Sequence, residues 1–145
     1  MSSKLITLVG LAGSGKSTYA KTLSDRYGYK IHSSDALRQE MFGDENVNSK
    51  EENERMFAEL HRRIKDDLKN GIDVIYDATN INKRNRIDFL RYIDDVKCDK
   101  LCILVVLPFQ MCLERNANRE RKVPNEAKER MYTHFQPPHP KEGWD

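Results

Sequence analysis

Gly10-Leu11-Ala12-Gly13-Ser14-Gly15-Lys16-Ser17 fills every fixed position of G-x-x-x-x-G-K-[ST], the signature of a phosphate-binding loop. Its flanks are those the motif requires. Leu5-Ile6-Thr7-Leu8-Val9 reads as a short buried strand, and Ser17-Thr18-Tyr19-Ala20-Lys21-Thr22-Leu23 as the opening of a helix. Gly10, Gly13 and Gly15 let the backbone turn tightly, so that its N–H groups approach an anion. The helix behind them points the positive end of its dipole at the same place. Lys16 reaches the β- and γ-phosphates of a nucleotide, and the Ser17 hydroxyl suits Mg²⁺. The candidate nucleotide-binding set is therefore Gly10, Ala12, Gly13, Ser14, Gly15, Lys16, Ser17 and Thr18. A glycine-rich turn without chemistry would not need both the strand and the helix.

The rest of the chain alternates strand and helix, which predicts a parallel sheet covered on both faces. Lys4–Val9 is read as the first strand and 16–27 as the first helix. A second strand follows at Tyr29–Ser33, then a short helix at Asp35–Phe42 with Ser34 or Asp35 near its cap. Ser49-Lys50-Glu51-Glu52 is a capping-box pattern opening a helix to about Asn70. Its apolar face is Met56, Phe57, Leu60, Ile64 and Leu68, and Gly71 stops it. Ile72–Tyr76 is the third predicted strand. Lys83–Val96 is amphipathic, with Ile87, Leu90 and Ile93 as its buried stripe, and Leu101–Leu107 is the strongest strand signal. Pro108 and Pro124 open two further helices, to about Asn118 and Phe135. Trp144 either packs back onto the domain or marks a chain that stops before a further strand.

With 145 residues, 33% charged and 38% hydrophobic, the chain is expected to form a single domain, 1–145, with a core of its own. A net charge of +2 does not by itself demand a nucleic-acid partner. Basic residues nevertheless gather at Lys83, Arg84, Arg86 and Arg91, and again at Arg115, Arg119, Arg121 and Lys122. Cys98, Cys102 and Cys112 have no zinc-type spacing and suggest reduced thiols, hence a cytoplasmic protein. No window is long and apolar enough to span a membrane.

Three constellations bear on what happens to the nucleotide. Ser34-Asp35-Ala36-Leu37-Arg38 lies just past the second strand, and open α/β sheets bind ligands beyond the carboxyl ends of their strands. Asp35 there suits a proton acceptor for an attacking hydroxyl, and Arg38 a grip on a phosphate of the acceptor molecule. The same residues also suit a helix cap and a solvated arginine. Asp77-Ala78-Thr79-Asn80 ends the third strand, where a carboxylate steadies Mg²⁺ in phosphate-loop proteins and where such residues also make turns. Arg115 and Arg119, four apart on one helix face, lie in a basic segment of about 115–124 that can close over phosphates as a lid.

Together these motifs resemble the kinase domain of the phage and bacterial polynucleotide 5′-hydroxyl kinases. The resemblance runs through GLAGSGKST, SSDALRQ, YDATNINKRNR and RNANRERKVP. It implies a P-loop NTPase fold of the kinase type, a three-layer α/β/α arrangement with four or five parallel strands in the order 2-3-1-4. It implies ATP and Mg²⁺ as cofactors and a 5′-hydroxyl of DNA or RNA as the acceptor. Asp35 corresponds to the family's general base, Arg38 to its acceptor-phosphate ligand and Arg119 to its lid arginine, with Arg115 the neighbouring candidate. Asp77 corresponds to the aspartate after the third strand. No N/TKxD-type guanine-reading motif is present, which favours ATP over GTP. The best-known members carry a phosphatase or ligase domain for which 145 residues leave no room. The tail, Phe135-Gln136-Pro137-Pro138 to Glu142-Gly143-Trp144-Asp145, is similar to that of related small kinases. Kinases of a small metabolite, a tRNA-linked group or a UDP-sugar, and a nucleotide-dependent switch, are the alternatives.

Overall fold

A computed structural model of the chain describes residues 2–11, 14–105 and 135–145. Four strands, β1 (Ser3–Val9), β2 (Lys30–Ser33), β3 (Val74–Asp77) and β4 (Cys98–Leu104), form one sheet in the order β2-β3-β1-β4. All three pairings are parallel, as the doubly covered pattern and the expected 2-3-1-4 order require. Along β1 the side chains alternate between two cores. Leu5 faces the same layer as Val74 and Tyr76, whereas Ile6 and Leu8 face the layer of Ile75.

The first layer is built by α2 (Ser34–Phe42), α3 (Lys50–Lys69) and α4 (Lys83–Tyr92). Leu37, Met56, Leu60, Ile64, Leu68, Phe89 and Leu90 supply its apolar surface. On the other face α1 (Lys16–Tyr27) packs Ala20 and Leu23. Two layers of helix around a parallel sheet make the α/β/α sandwich anticipated from the sequence.

Element boundaries move where a local interaction outweighs the hydrophobic pattern. Ser33, rather than Ser34 or Asp35, caps α2, its Oγ accepting from the Ala36 N–H at 3.3 Å. Ser49 caps α3 as expected, accepting from the Glu52 N–H at 3.2 Å. At the far end of α3, Gly71 takes φ 77°, and the N–H groups of Gly71 and Ile72 bond Leu68 O and Asp67 O. That closure holds Ile72 in the turn, so β3 begins at Val74. The strand β4 starts at Cys98, earlier than its apolar run, because Cys98, Asp99 and Lys100 pair with Ser3, Lys4 and Leu5. The helix α4 ends at Tyr92, and its buried face is Arg86, Phe89 and Leu90 followed by Ile93, with Ile87 only half-buried. The predicted helices after Pro108 and Pro124 lie outside the described residues.

The tail packs back onto the domain. Trp144 rests against the α3/α4 core, and its indole N–H donates to Glu142 Oε2 at 3.0 Å. Asp145 N–H donates to Lys100 O at 2.8 Å, while Lys100 N–H donates to the Asp145 carboxylate at 2.6 Å. Beneath them Arg86 and Glu142, each with a side chain 1% exposed, form a buried ion pair. The guanidinium donates through Nε and Nη2 to the two carboxylate oxygens at 3.0 and 2.8 Å, and also to Asn80 O at 2.7 Å and Pro137 O at 3.1 Å. Arg86 is thus taken out of the basic surface that the Lys83–Arg91 run suggested. Among the described residues no helix is long and apolar enough to cross a membrane.

Candidate active site

The carboxyl ends of the strands lie level, because Ser33 pairs with Asp77 and Asp77 with Leu8. The loops after β1, β2 and β3 consequently leave the sheet at one edge, which gathers Gly10, Leu11 and Ser14–Ser17 with Asp35 and Asp77. Gly10 is fixed between strands: its N–H donates to Thr79 O at 3.0 Å. A Cβ at Gly10 would lie 2.6 Å from Val105 O and 2.9 Å from Ser14 Oγ, so only glycine lets the loop begin here. Gly15 adopts φ 100° and ends the loop at α1, whose first turn has no side-chain cap. The N–H groups of that turn are the donors a bound phosphate needs.

Lys16 is buried, its Nζ donating to Leu11 O at 3.1 Å, so the ammonium lies across the loop. Ser17 Oγ donates to Asp77 Oδ2 at 3.0 Å. Asp77 is itself buried. A hydroxyl and a carboxylate meeting at hydrogen-bond distance form the kind of hard-oxygen pair that holds Mg²⁺ alongside substrate phosphates. Ser14 Oγ is buried with no hydrogen-bond partner among the described residues, which fits a loop shaped for a polar guest. The side chain of Thr18 is exposed, while its carbonyl accepts from the Thr22 hydroxyl at 3.0 Å. Ala12 and Gly13 lie outside the described residues, as do Arg115, Arg119 and the 115–124 segment.

The loop after β3 is drawn against the phosphate loop by Asn80, which adopts φ 52° and donates through Nδ2 to Leu8 O at 2.9 Å. Asn80 O is in turn the carbonyl that Arg86 holds. The Asp77–Asn80 turn and the metal-type pair are therefore parts of one arrangement, and the buried tail ion pair supports it from below.

Asp35 sits in the first turn of α2. Since Ser33 caps that helix, the Asp35 carboxylate is left for Arg38, whose Nη1 donates to Oδ1 at 3.0 Å. Arg38 is mostly covered, its side chain 15% exposed, and Asp35 is more open at 39%. Nε and Nη2 of Arg38 donate to Asn53 Oδ1 at 3.2 and 3.1 Å, and the guanidinium lies 5.7 Å from the centre of the Phe57 ring. Asn53 and Phe57 were not among the candidates read from the sequence. The visible signal was the capping box: it sets the phase of α3, and residues four apart there share a face.

The environment behind this region is apolar and neutral. His61, hydrogen-bonded to the Tyr76 hydroxyl at 2.7 Å, is pushed down to about 4 by burial. Burial likewise pushes Tyr76 well above its usual range. The thiols of Cys98 and Cys102 are free, and burial raises Cys102 to about 11, so it is inert near neutral pH.

Comparison with known proteins agrees with the geometry. The AAA domain family model, AAA_33, matches residues 5–138. The L-seryl-tRNA(Sec) kinase of Methanococcus maripaludis is 31% identical over 142 residues, which span 97% of this chain and 56% of that protein. Protein kti12 of Schizosaccharomyces pombe is 26% identical over 152 residues, spanning 97% of this chain and 54% of that protein. The chain thus spans about half the length of the curated relatives it matches. Among solved structures, the Pnkp1/Rnl/Hen1 RNA repair complex contains a chain with a TM-score of 0.80 and 27% identity, covering 99% of this chain and 47% of that one. Chaetomium thermophilum Kti12 in complex with ADP-AlF3 superposes with a TM-score of 0.75 at 22% identity, covering 97% of this chain and 85% of that one. With the family model spanning nearly the whole chain and the glycine loop rising from a central parallel strand, this protein belongs to the AAA_33 family and has the fold of a P-loop kinase domain.

Proposed function

We propose that this domain transfers the γ-phosphoryl group of ATP to a hydroxyl of a nucleic acid, the 5′-hydroxyl of DNA or RNA. The observation that carries the proposal is the Asp35–Arg38 pair on the same sheet edge as Lys16 and the Ser17–Asp77 pair. A protein that only binds or hydrolyses nucleotide has no need of an acceptor element there. Similarity to an L-seryl-tRNA(Sec) kinase and to a chain of an RNA repair complex supports a nucleic-acid acceptor.

In this reading Lys16 and the loop N–H groups hold the β- and γ-phosphates. Ser17 and Asp77 are the residues that would hold Mg²⁺, which when bound neutralises charge on the phosphoryl oxygens. Asp35 orients the acceptor hydroxyl and accepts its proton. The hydroxyl oxygen bonds to the γ-phosphorus as the bond to the β–γ bridging oxygen breaks, and ADP leaves. Arg38 grips a phosphate of the acceptor, and Arg119, with Arg115 as the neighbouring candidate, is assigned to the donor phosphates. Little covalent work falls to the protein, so positioning and charge complementarity supply most of the rate.

A second reading has a specific observation behind it: the 31% identity to L-seryl-tRNA(Sec) kinase makes a tRNA-linked hydroxyl the next acceptor to test. The experiment is transfer of labelled phosphate from ATP to 5′-OH DNA, 5′-OH RNA and seryl-tRNA in parallel. Label on an oligonucleotide 5′ end supports the proposal; label on seryl-tRNA alone replaces it with the second reading. Asp35→Asn should lower turnover by roughly 10²–10⁴-fold with ATP affinity nearly unchanged. Turnover retained in that variant removes Asp35 as the base.

A further inference from the structure

We infer that Asn53 is a positioning residue for Arg38, holding the acceptor-gripping guanidinium in place without cancelling its charge. This rests on the acceptor role proposed above for Arg38. Arginine reaches its target on a long flexible stem, so an arginine that must meet one phosphate needs its plane fixed beforehand. Asn53 Oδ1 accepts from both Nε and Nη2, which pins one side of the fork. Asp35 takes Nη1, and the ring of Phe57 lies under the guanidinium.

Asn53 is in turn oriented. Its Nδ2 donates to Asn48 Oδ1 at 3.1 Å, so the amide oxygen is the end turned toward Arg38. Its backbone N–H bonds Ser49 O at 2.9 Å, which ties the residue to the α3 cap. The chain of contacts runs from the Ser49 cap to Asn53, from Asn53 to Arg38, and from Arg38 to Asp35.

The choice of an amide over a carboxylate has a chemical reason. Arg38 already faces one carboxylate, that of Asp35. A second at position 53 would hold the guanidinium equally well but would compete with an acceptor phosphate for its charge. A neutral acceptor positions the cation without adding a second negative charge to compete with the acceptor phosphate.

The test uses the full chain with arginine side chains labelled with ¹⁵N, and a 5′-OH oligonucleotide as acceptor. The Arg38 Nε–H resonance, identified by its loss in Arg38→Ala, should be sharp and slow to exchange in the native protein. It should broaden or vanish in Asn53→Ala and persist in Asn53→Asp. Both variants should raise the acceptor KM about tenfold, the scale of losing a hydrogen bond to a charged group, with the ATP KM within about twofold. The alanine change acts by loosening Arg38 and the aspartate change by neutralising it. An unchanged Nε–H signal in Asn53→Ala, or equal rises in both KM values, overturns the inference. The resonance behaving as stated in an enzyme that phosphorylates no oligonucleotide supports the positioning role and instead overturns the acceptor proposed above.

Discussion

The buried Arg86–Glu142 pair offers the sharpest test of how the tail holds the site. Both side chains are 1% exposed, and the carboxylate meets the guanidinium through two hydrogen bonds. Glu142→Ala leaves an uncompensated cation in the interior and frees the Trp144 indole N–H from its acceptor. Breaking one partner of such a pair costs about 3–5 kcal/mol. A domain of this size has a net stability of about 5–15 kcal/mol, so the change removes a large share of it. The expected fall in Tm is on the order of 10 °C. Arg86→Met alone should cost a similar amount. The double change Arg86→Met with Glu142→Leu removes both charges and should be markedly more stable than either single variant, because desolvation of the pair is avoided as well as its attraction. The assay is urea unfolding followed by far-UV circular dichroism, alongside the fluorescence of Trp144, the only tryptophan in the chain. Circular dichroism reports the whole domain, and the indole reports the tail. The reasoning is refuted if Glu142→Ala costs less than about 1 kcal/mol, a value typical of a surface ion pair. Additive single changes refute it as well.

Two further outcomes follow from the geometry. Burial holds His61 near 4 against an ordinary value of 6.5, so the unfolded chain takes up a proton at this site before the folded one does. The His61 contribution is therefore intact above pH 6.5 and lost as pH falls toward about 4, to the extent of about 3 kcal/mol; the acid slope of stability should flatten over that window in His61→Gln. Gly10→Ala places a methyl group 2.6 Å from Val105 O, a backbone atom that cannot swing aside. It should cost about 1–3 kcal/mol in stability and weaken ATP binding together, read by thermal shift with and without nucleotide.

Much of this arrangement is written in short-range signals. The Ser49 cap, the Gly71 stop and the two ends of the glycine loop at Gly10 and Gly15 are local, and each is found where the residues alone suggest. Strands β1 and β3 are likewise legible as near-continuous apolar runs, Leu5–Val9 and Val74–Tyr76, buried on both faces of the sheet. The departures share a cause: a long-range partner outweighs the local pattern. Arg86 reads as a basic surface residue because its partner, Glu142, lies 56 residues away. Ile87 reads as core because it is apolar, yet the phase of α4 is set by Phe89, Leu90 and the buried arginine. For Asn53 the sequence offers only the capping box that fixes the phase of α3; its partner Arg38 is brought beside it by the packing of α2 on α3.

The central position of β1 bears on the order in which the domain can be made. The strand that carries the glycine loop is synthesised well before both of its neighbours, β3 at Val74–Asp77 and β4 at Cys98–Leu104. The clasp of Gly10 to Thr79, and of Val105 to Val9, waits for the same residues. On a ribosome β1 therefore emerges well before the strands that frame it. Until β3 and β4 are made, the apolar run Leu5–Val9 has no sheet to join, which leaves that segment in need of protection during synthesis.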